Sequence, residues 1–237
     1  MRRLTLTHAV LNALLLWLGY YWLGLGESRA LTLVWSFLVA LVAVSLASVQ
    51  YGVAFAWFRL GKRPWQTVLR NFLPAIVVAA AGLIVYLLLD AWAGYSSTPA
   101  HKVASYLTLK FRKPVRPSTI FGIFNTVLWL VRWVIVPVLL APLFSAVAAA
   151  GWRGFRAVSA LERKWLYWLE TPLLLLCALW LPLKLLGWVP HFEGFGWQMV
   201  SFVVRALAAY ALFVAAGLAF ALVTSTLKPR AVKAAVS

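Results

Sequence analysis

Two arginines fall inside apolar stretches long enough to cross a bilayer, Arg132 in the run 120–150 and Arg205 in the run 199–226. Charge in hydrocarbon is costly, so it ordinarily faces a partner or a wet cavity. Arg205 is about seven residues in, roughly 10 Å deep at about 1.5 Å of rise per residue. Asp90 and Lys184 stand near the ends of two other apolar runs, and Glu193 lies in an adjoining connection. Together Asp90, Arg132, Lys184, Glu193 and Arg205 make a candidate cluster in the outer half of a membrane. Read as function, three cations and two carboxylates define an outward-opening pocket for an anionic headgroup or solute. Read as structure, the arginines reach outward toward water, or pair with Asp90 and Glu193 and lock helices together.

Other reactive side chains are sparse. His8, His101 and His191 are the only histidines, assigned to the inner end of the first apolar run and to two separate outer connections. That placement predicts interfacial or solvent-exposed imidazoles, whereas a haem or metal site needs ligands converging from neighbouring helices. Cys177, the single cysteine, lies in an apolar run and is expected to pack as a small residue. No glycine-rich phosphate loop follows a strand, and no carboxylate pair has acid-base spacing within a span. The run KFRKPVRPS, Lys110 to Ser118, is similar to the phosphate-holding Lys and Arg-Pro of membrane acid phosphatases of the phosphatidate type. Its spacing is one residue short, and neither Pro-Ser-Gly-His nor a Ser-Arg with a downstream His follows, so that chemistry is rejected. The sequence therefore predicts no catalytic residues, no metal site and no cofactor.

Any such residues must be positioned by apolar helices. Of 237 residues 64% are hydrophobic and 11% charged, and the mean hydropathy is +0.90. Such a chain cannot hide its apolar groups in a water-soluble globule, so its solvent is lipid. The formal charge of +17, from 22 basic and 5 acidic residues, would point to nucleic acid in a soluble protein. Here the basic residues flank apolar runs, the pattern of topology signals and of contacts with anionic headgroups, and nucleic acid is excluded as a partner. Arg2 and Arg3 before an apolar stretch, with Ser28 and Ala30 beyond it, resemble a secretory signal. The stretch is long enough to span, however, and an uncleaved anchor is expected.

About 20 apolar helical residues cross the roughly 30 Å hydrocarbon core. The expected fold is all-α, a polytopic bundle of about six spans at 8–25, 31–58, 72–92, 120–150, 172–189 and 199–226, in one integral membrane domain. Pro137 and Pro142 predict a kink in the fourth span. Thirteen lysines and arginines, at 2–3, 59–70, 153–164 and 228–233, fall on one side; seven, Arg29, Lys102, Lys110, Arg112, Lys113, Arg116 and Lys184, fall on the other. The richer side is placed in the cytoplasm with both termini, and the membrane is read as bacterial and cytoplasmic. The tryptophans agree: Trp57, Trp65, Trp152, Trp165 and Trp168 mark the inner interface, and Trp22, Trp35, Trp92, Trp188 and Trp197 the outer one. Trp17, Trp129, Trp133 and Trp180 lie deeper and are expected to fill space between helices.

Three connections read as short amphipathic interfacial helices. In the first, Trp65, Val68, Leu69 and Phe72 share a face beside Lys62, Arg63, Gln66 and Arg70. The second places Phe155, Val158, Leu161, Trp165 and Trp168 beside Arg156, Arg163 and Lys164. Pro74 and Pro172 follow these elbows as expected helix starts. The third has Thr98 as N-cap and Pro99 at the first position. Ala100, Val103, Ala104, Leu107 and Phe111 form its apolar face, and Pro114 ends it. Its basic end, Lys110, Arg112, Lys113 and Arg116, is a candidate contact for lipid headgroups or else a solvated charge run. The two inner elbows, with Asn12 and Asn125, suggest a weak three-plus-three repeat of 1–118 and 119–237. Small residues at Ser36, Ala40, Ala43 and Ala47, and at Ala209, Gly217 and Ala221, permit close helix packing or an oligomer face.

The run GVAFAWFRLGKRPWQTVLRNFLPAIV, Gly52 to Val77, resembles a segment of bacterial six-span proteins similar to the membrane domain attached to some glycerophosphodiester phosphodiesterases. The run AAAGWRGFRAVSALERKWLYWLETP, Ala148 to Pro172, echoes it. The resemblance covers about a third of the chain and carries no catalytic motif. It implies a membrane module and does not transfer the phosphodiesterase activity. The function expected from these observations is a non-enzymatic module or accessory subunit in a transport or envelope process, working with the bilayer and with a membrane protein partner or a second copy of itself. The alternative is a permease or lipid-handling protein for an anionic solute or headgroup.

Overall fold

A computed structural model describes residues 2–26, 29–61, 64–157, 165–190 and 193–227. The chain is all-α, with no strand among the described residues. Its helices are α1 (Arg2–Leu23), α2 (Ala30–Leu60), α3 (Pro64–Arg70), α4 (Phe72–Tyr95), α5 (Ser97–Phe111), α6 (Pro117–Leu130), α7 (Val136–Ala150), α8 (Arg153–Ala157), α9 (Trp165–Gly187) and α10 (Phe195–Ser225). A π-helical turn, Val131–Ile135, joins α6 to α7. Among the described residues six helical stretches are long and apolar enough to cross a membrane: α1, α2, α4, the continuous rod Pro117–Ala150, α9 and α10. The protein is a multi-pass integral membrane protein.

The spans match the expected six, with longer helices at several ends. At about 1.5 Å per residue the 31 residues of α2 extend roughly 46 Å, beyond a roughly 30 Å core. The first span starts at Arg2, not His8. The fifth starts at Trp165, so Trp165 and Trp168 belong to the span itself and Pro172 lies inside it, not in its first turn. Internal proline is tolerated in membrane helices because neighbouring groups satisfy the carbonyl it frees. Pro74, by contrast, is the third residue of α4, where a missing N–H costs little. Near Pro137 the helix widens: the Val136 N–H reaches back to the Val131 carbonyl. This places an i→i+5 turn directly before a residue that cannot donate.

Short helices stand at the first and third elbows, as α3 and α5. Helix α5 begins one residue before Thr98, with Ser96 at the cap and Pro99 still in the first turn. It ends as Arg112 turns left-handed at φ 51°. In the second elbow α8 covers Phe155 and Arg156; Val158, Leu161, Arg163 and Lys164 lie outside the described residues, as do Ser28, Lys62, Arg63, His191, Lys228, Arg230 and Lys233. Two deep tryptophans are corrected: Trp17 and Trp180 are exposed rather than buried between helices, while the half-exposed Trp133 packs edge-on on Tyr86 of α4 at 5.6 Å. Cys177 is likewise exposed.

Two compact units are present, 1–79 with 141–237, and 80–140, and the boundaries fall within α4 and α7. In the first, Leu4, Val53, Ala56, Val68 and Ala148 form one buried cluster and Ala54, Phe55, Ala141 and Ala221 another. Both gather where α1 begins and α2, α7 and α10 finish. Phe55 meets Phe144 and Phe220 edge-on at 5.9 and 6.1 Å, a favoured aromatic geometry. At the other end of α1 and α2, the Trp22 indole donates to Ser36 at 2.8 Å and the Trp35 indole to the Tyr21 hydroxyl at 3.0 Å. The small faces of α2 and α10 are used in bundle packing, with Ser36, Ala209 and Ala221 buried.

In the second unit Ala100 and Ala104 of α5 pack on Ile120 of α6, joined by Leu107, Val115 and Phe124. Val103 and Phe111, expected on the same face, stay exposed. The apolar stripe is therefore divided between a helix neighbour and the surroundings. Lys110, Arg112, Lys113 and Arg116 are all exposed at the basic end.

Candidate functional site

Three helices of the first unit converge on a polar cluster. His8 and Asn12 are one turn apart on α1, in line with Leu4, so all three share the buried stripe. Gln50 of α2 faces them. His8 is 2%, Asn12 3% and Gln50 2% exposed, which places them in the bundle interior. The Asn12 amide donates to the His8 carbonyl at 2.9 Å. The Gln50 amide donates to the same carbonyl at 3.4 Å and stands 3.3 Å from His8 Nδ1. With Nδ1 accepting from Gln50, the ring proton resides on Nε2.

The third wall is α10. The Tyr210 hydroxyl donates to the Ala9 carbonyl, pinning α10 to α1. Gly217 brings its backbone so near that an added Cβ would lie 3.2 Å from His8 Nε2 and 3.6 Å from the Tyr51 ring. Tyr51 stands edge-on to the imidazole, centroids 5.3 Å apart. His8 Nε2 and Gln50 Oε1 are buried with no hydrogen-bond partner. Two unpaired buried atoms in one polar cluster are uncommon, since buried polar groups are ordinarily hydrogen-bonded.

Glutamine to leucine at position 50 is expected to leave His8 Nδ1 unpaired and lower the thermal midpoint in detergent. The double change His8→Leu with Gln50→Leu removes both partners, and its midpoint should equal or exceed that of the single variant. A double variant less stable than either single one refutes this pairing.

The five residues of the expected charge cluster fall in both units. Asp90 and Arg132 belong to the second unit, and Lys184, Glu193 and Arg205 to the first. Each arginine finds partners within its own unit, although Arg132 Nε is buried with no hydrogen-bond partner. Arg132 pairs with Asp90 at 2.9 Å, donates to the Leu89 carbonyl at 2.8 Å and lies over the Tyr86 ring at 5.4 Å. Arg132 stands in the π turn, where the widened backbone re-aims side chains. Arg205 is 8% exposed and donates to the Leu186 and Trp188 carbonyls at the end of α9, and through Nε to its own Ser201 carbonyl at 3.2 Å. Those carbonyls take the role expected for a carboxylate, because the last turn of any helix leaves acceptors without intrahelical donors. Lys184 lies over the Trp180 ring at 5.5 Å, and Glu193 is exposed.

Among the described residues no group of three His, Cys, Asp or Glu side chains could hold a metal ion. No family model matches the chain, and neither a curated protein nor a solved structure matches it.

Proposed function

We propose that this protein is a non-enzymatic module of the bacterial cytoplasmic membrane, both termini inside, which organises a partner or serves as an accessory subunit in a transport or envelope process. The observation that carries the reading is the use of the two intramembrane arginines: one ties an ion pair and a carbonyl, the other closes a helix end. Charges committed to holding helices leave less for binding and releasing a solute. The positive-inside asymmetry supports the orientation. Copurification in mild detergent with mass spectrometry tests the reading: a stoichiometric membrane protein partner is expected, and its absence under crosslinking counts against it.

The second reading, a permease or lipid-handling protein for an anionic solute or headgroup, draws on the unpaired His8 and Gln50 atoms, since a carrier needs polar groups inside the bilayer. Arg132→Ala separates the two. On the module reading it lowers the amount of inserted protein, with loss on the order of 1 kcal/mol because Asp90 is 62% exposed and the pair is weakened by water. Normal protein level with abolished anion flux in proteoliposomes would favour the carrier.

A further inference from the structure

Where α3 turns into α4 and α7 into α8, the two elbows line an open cleft of about 650 Å³. The elbows are fastened to each other: the Asn71 amide donates to the Ala148 carbonyl at 3.1 Å, and Gly52 of α2 sits against both Val68 and Ala148. Thr67, Arg70 and Asn71 line one side, and Gly151, Trp152 and Arg153 the other. The lining residues include two arginines, Arg70 and Arg153, and no Asp or Glu. No carboxylate among the described residues pairs with either arginine. The first turn of α4, Leu73 and Pro74, supplies an apolar side and brings the positive end of a 24-residue helix to the cleft.

Gly151 keeps the mouth open. It ends α7 at φ +62°, and a Cβ there would stand 2.8 Å from the side-chain Oδ1 of Asn71, whose amide is held on the Ala148 carbonyl. Conformation and space both exclude a side chain, and its N–H closes the helix by donating to the Val147 carbonyl at 2.8 Å.

We propose that this cleft binds the phosphate of an anionic phospholipid, with Arg70 and Arg153 gripping the headgroup. Guanidinium is the side chain best matched to phosphate oxygens, because its fork presents parallel N–H donors and is weakly hydrated. A volume of this size suits a headgroup. Trp152 and the apolar side at Leu73 and Ala149 lie where spans α4 and α7 begin and end, so acyl chains continue from the headgroup into hydrocarbon. A phosphate without such chains would use the arginines and leave the apolar side unfilled.

The test uses full-length protein in mild detergent with phosphatidylglycerol added, and native mass spectrometry to count retained lipid. Wild type should retain it in preference to phosphatidylcholine, and Arg70→Gln with Arg153→Gln should lower retention about tenfold. The double change Arg29→Gln with Lys102→Gln removes equal charge at exposed positions outside any proposed headgroup contact and should leave retention unchanged. Each single arginine variant carries the same test, with about a threefold loss, if the pair does not insert. Inorganic phosphate at millimolar concentration distinguishes the source: failure to displace lipid supports the lipid, and displacement by phosphate alone overturns the acyl part of the proposal. Undiminished retention by the Arg70 and Arg153 variants, or equal loss in the Arg29 and Lys102 control, overturns the site.

Discussion

Alanine in place of Arg205 is expected to lower the ratio of folded to unfolded protein about thirtyfold, read as a lower midpoint in detergent and less inserted protein in the membrane. The side chain reaches from α10 to the last turn of α9 and donates to Leu186 and Trp188. Its removal strands two carbonyls near lipid, each costing about 1 kcal/mol or more, and about 2 kcal/mol corresponds to that factor. Lysine has one charged nitrogen and cannot repeat the fork, so Arg205→Lys should fall between wild type and alanine. The same experiment weighs the anionic-pocket reading, which requires normal insertion and lost ligand binding from Arg205→Ala. Wild-type stability in the alanine variant would refute the helix-closing role.

A second large effect is expected from Gly154→Val. An added Cβ at this glycine of α8 would lie 2.6 Å from the Ala146 carbonyl carbon and oxygen and from Val147 Cα. These are backbone atoms of α7, so no side-chain rotation relieves the clash. Overpacking a core costs about 1–3 kcal/mol where side chains can adjust, and this contact should exceed that range. The control is Gly122→Ala in α6, where nothing lies within 4 Å and helix propensity favours alanine by about 1 kcal/mol. Loss of inserted protein from Gly154→Val with no loss from Gly122→Ala is the expected pair of results. Equal behaviour of the two variants would show that α8 does not pack as described.

The six spans were legible because lipid imposes a crude requirement, some twenty apolar residues in a row, that no turn in this chain satisfies by chance. The first elbow was legible from helical spacing at Trp65, Val68 and Leu69, and Val68 is fully buried. Helix ends were less so: Pro172 reads as a start only if a helix must begin near a proline, and α9 had already begun at Trp165. That misreading also hid the partners of Arg205, since acceptors at a helix end are invisible until the end is placed. His8 was misjudged through depth. Counted from a span beginning at His8 it reads as interfacial, but α1 starts at Arg2 and His8 lies on the buried stripe facing Gln50 of α2 and Gly217 of α10. A signal was present: Leu4, His8 and Asn12 recur every four residues, the register of a single helix face. Asn125, paired with Asn12 in the suggested repeat, is exposed where Asn12 is buried. The basic cleft needed both elbows at once, and sequence spacing alone does not say which turns meet.

The buried clusters of the larger unit gather where α1 starts and α2 and α10 finish, while the opposite stretches of α2 and α10 carry exposed residues such as Leu31, Leu33, Phe37, Phe202 and Val204. The unit is clamped by side-chain packing at that end, while the other is held by fewer, polar ties: Trp22 on Ser36, Trp35 on Tyr21 and Arg205 on the end of α9. A bilayer that thickens or thins can therefore be accommodated by leaning of the more loosely held helix lengths, while the clamped end keeps its geometry. Amide exchange should report this as a gradient along α2, slow around Val53 and fast around Leu33.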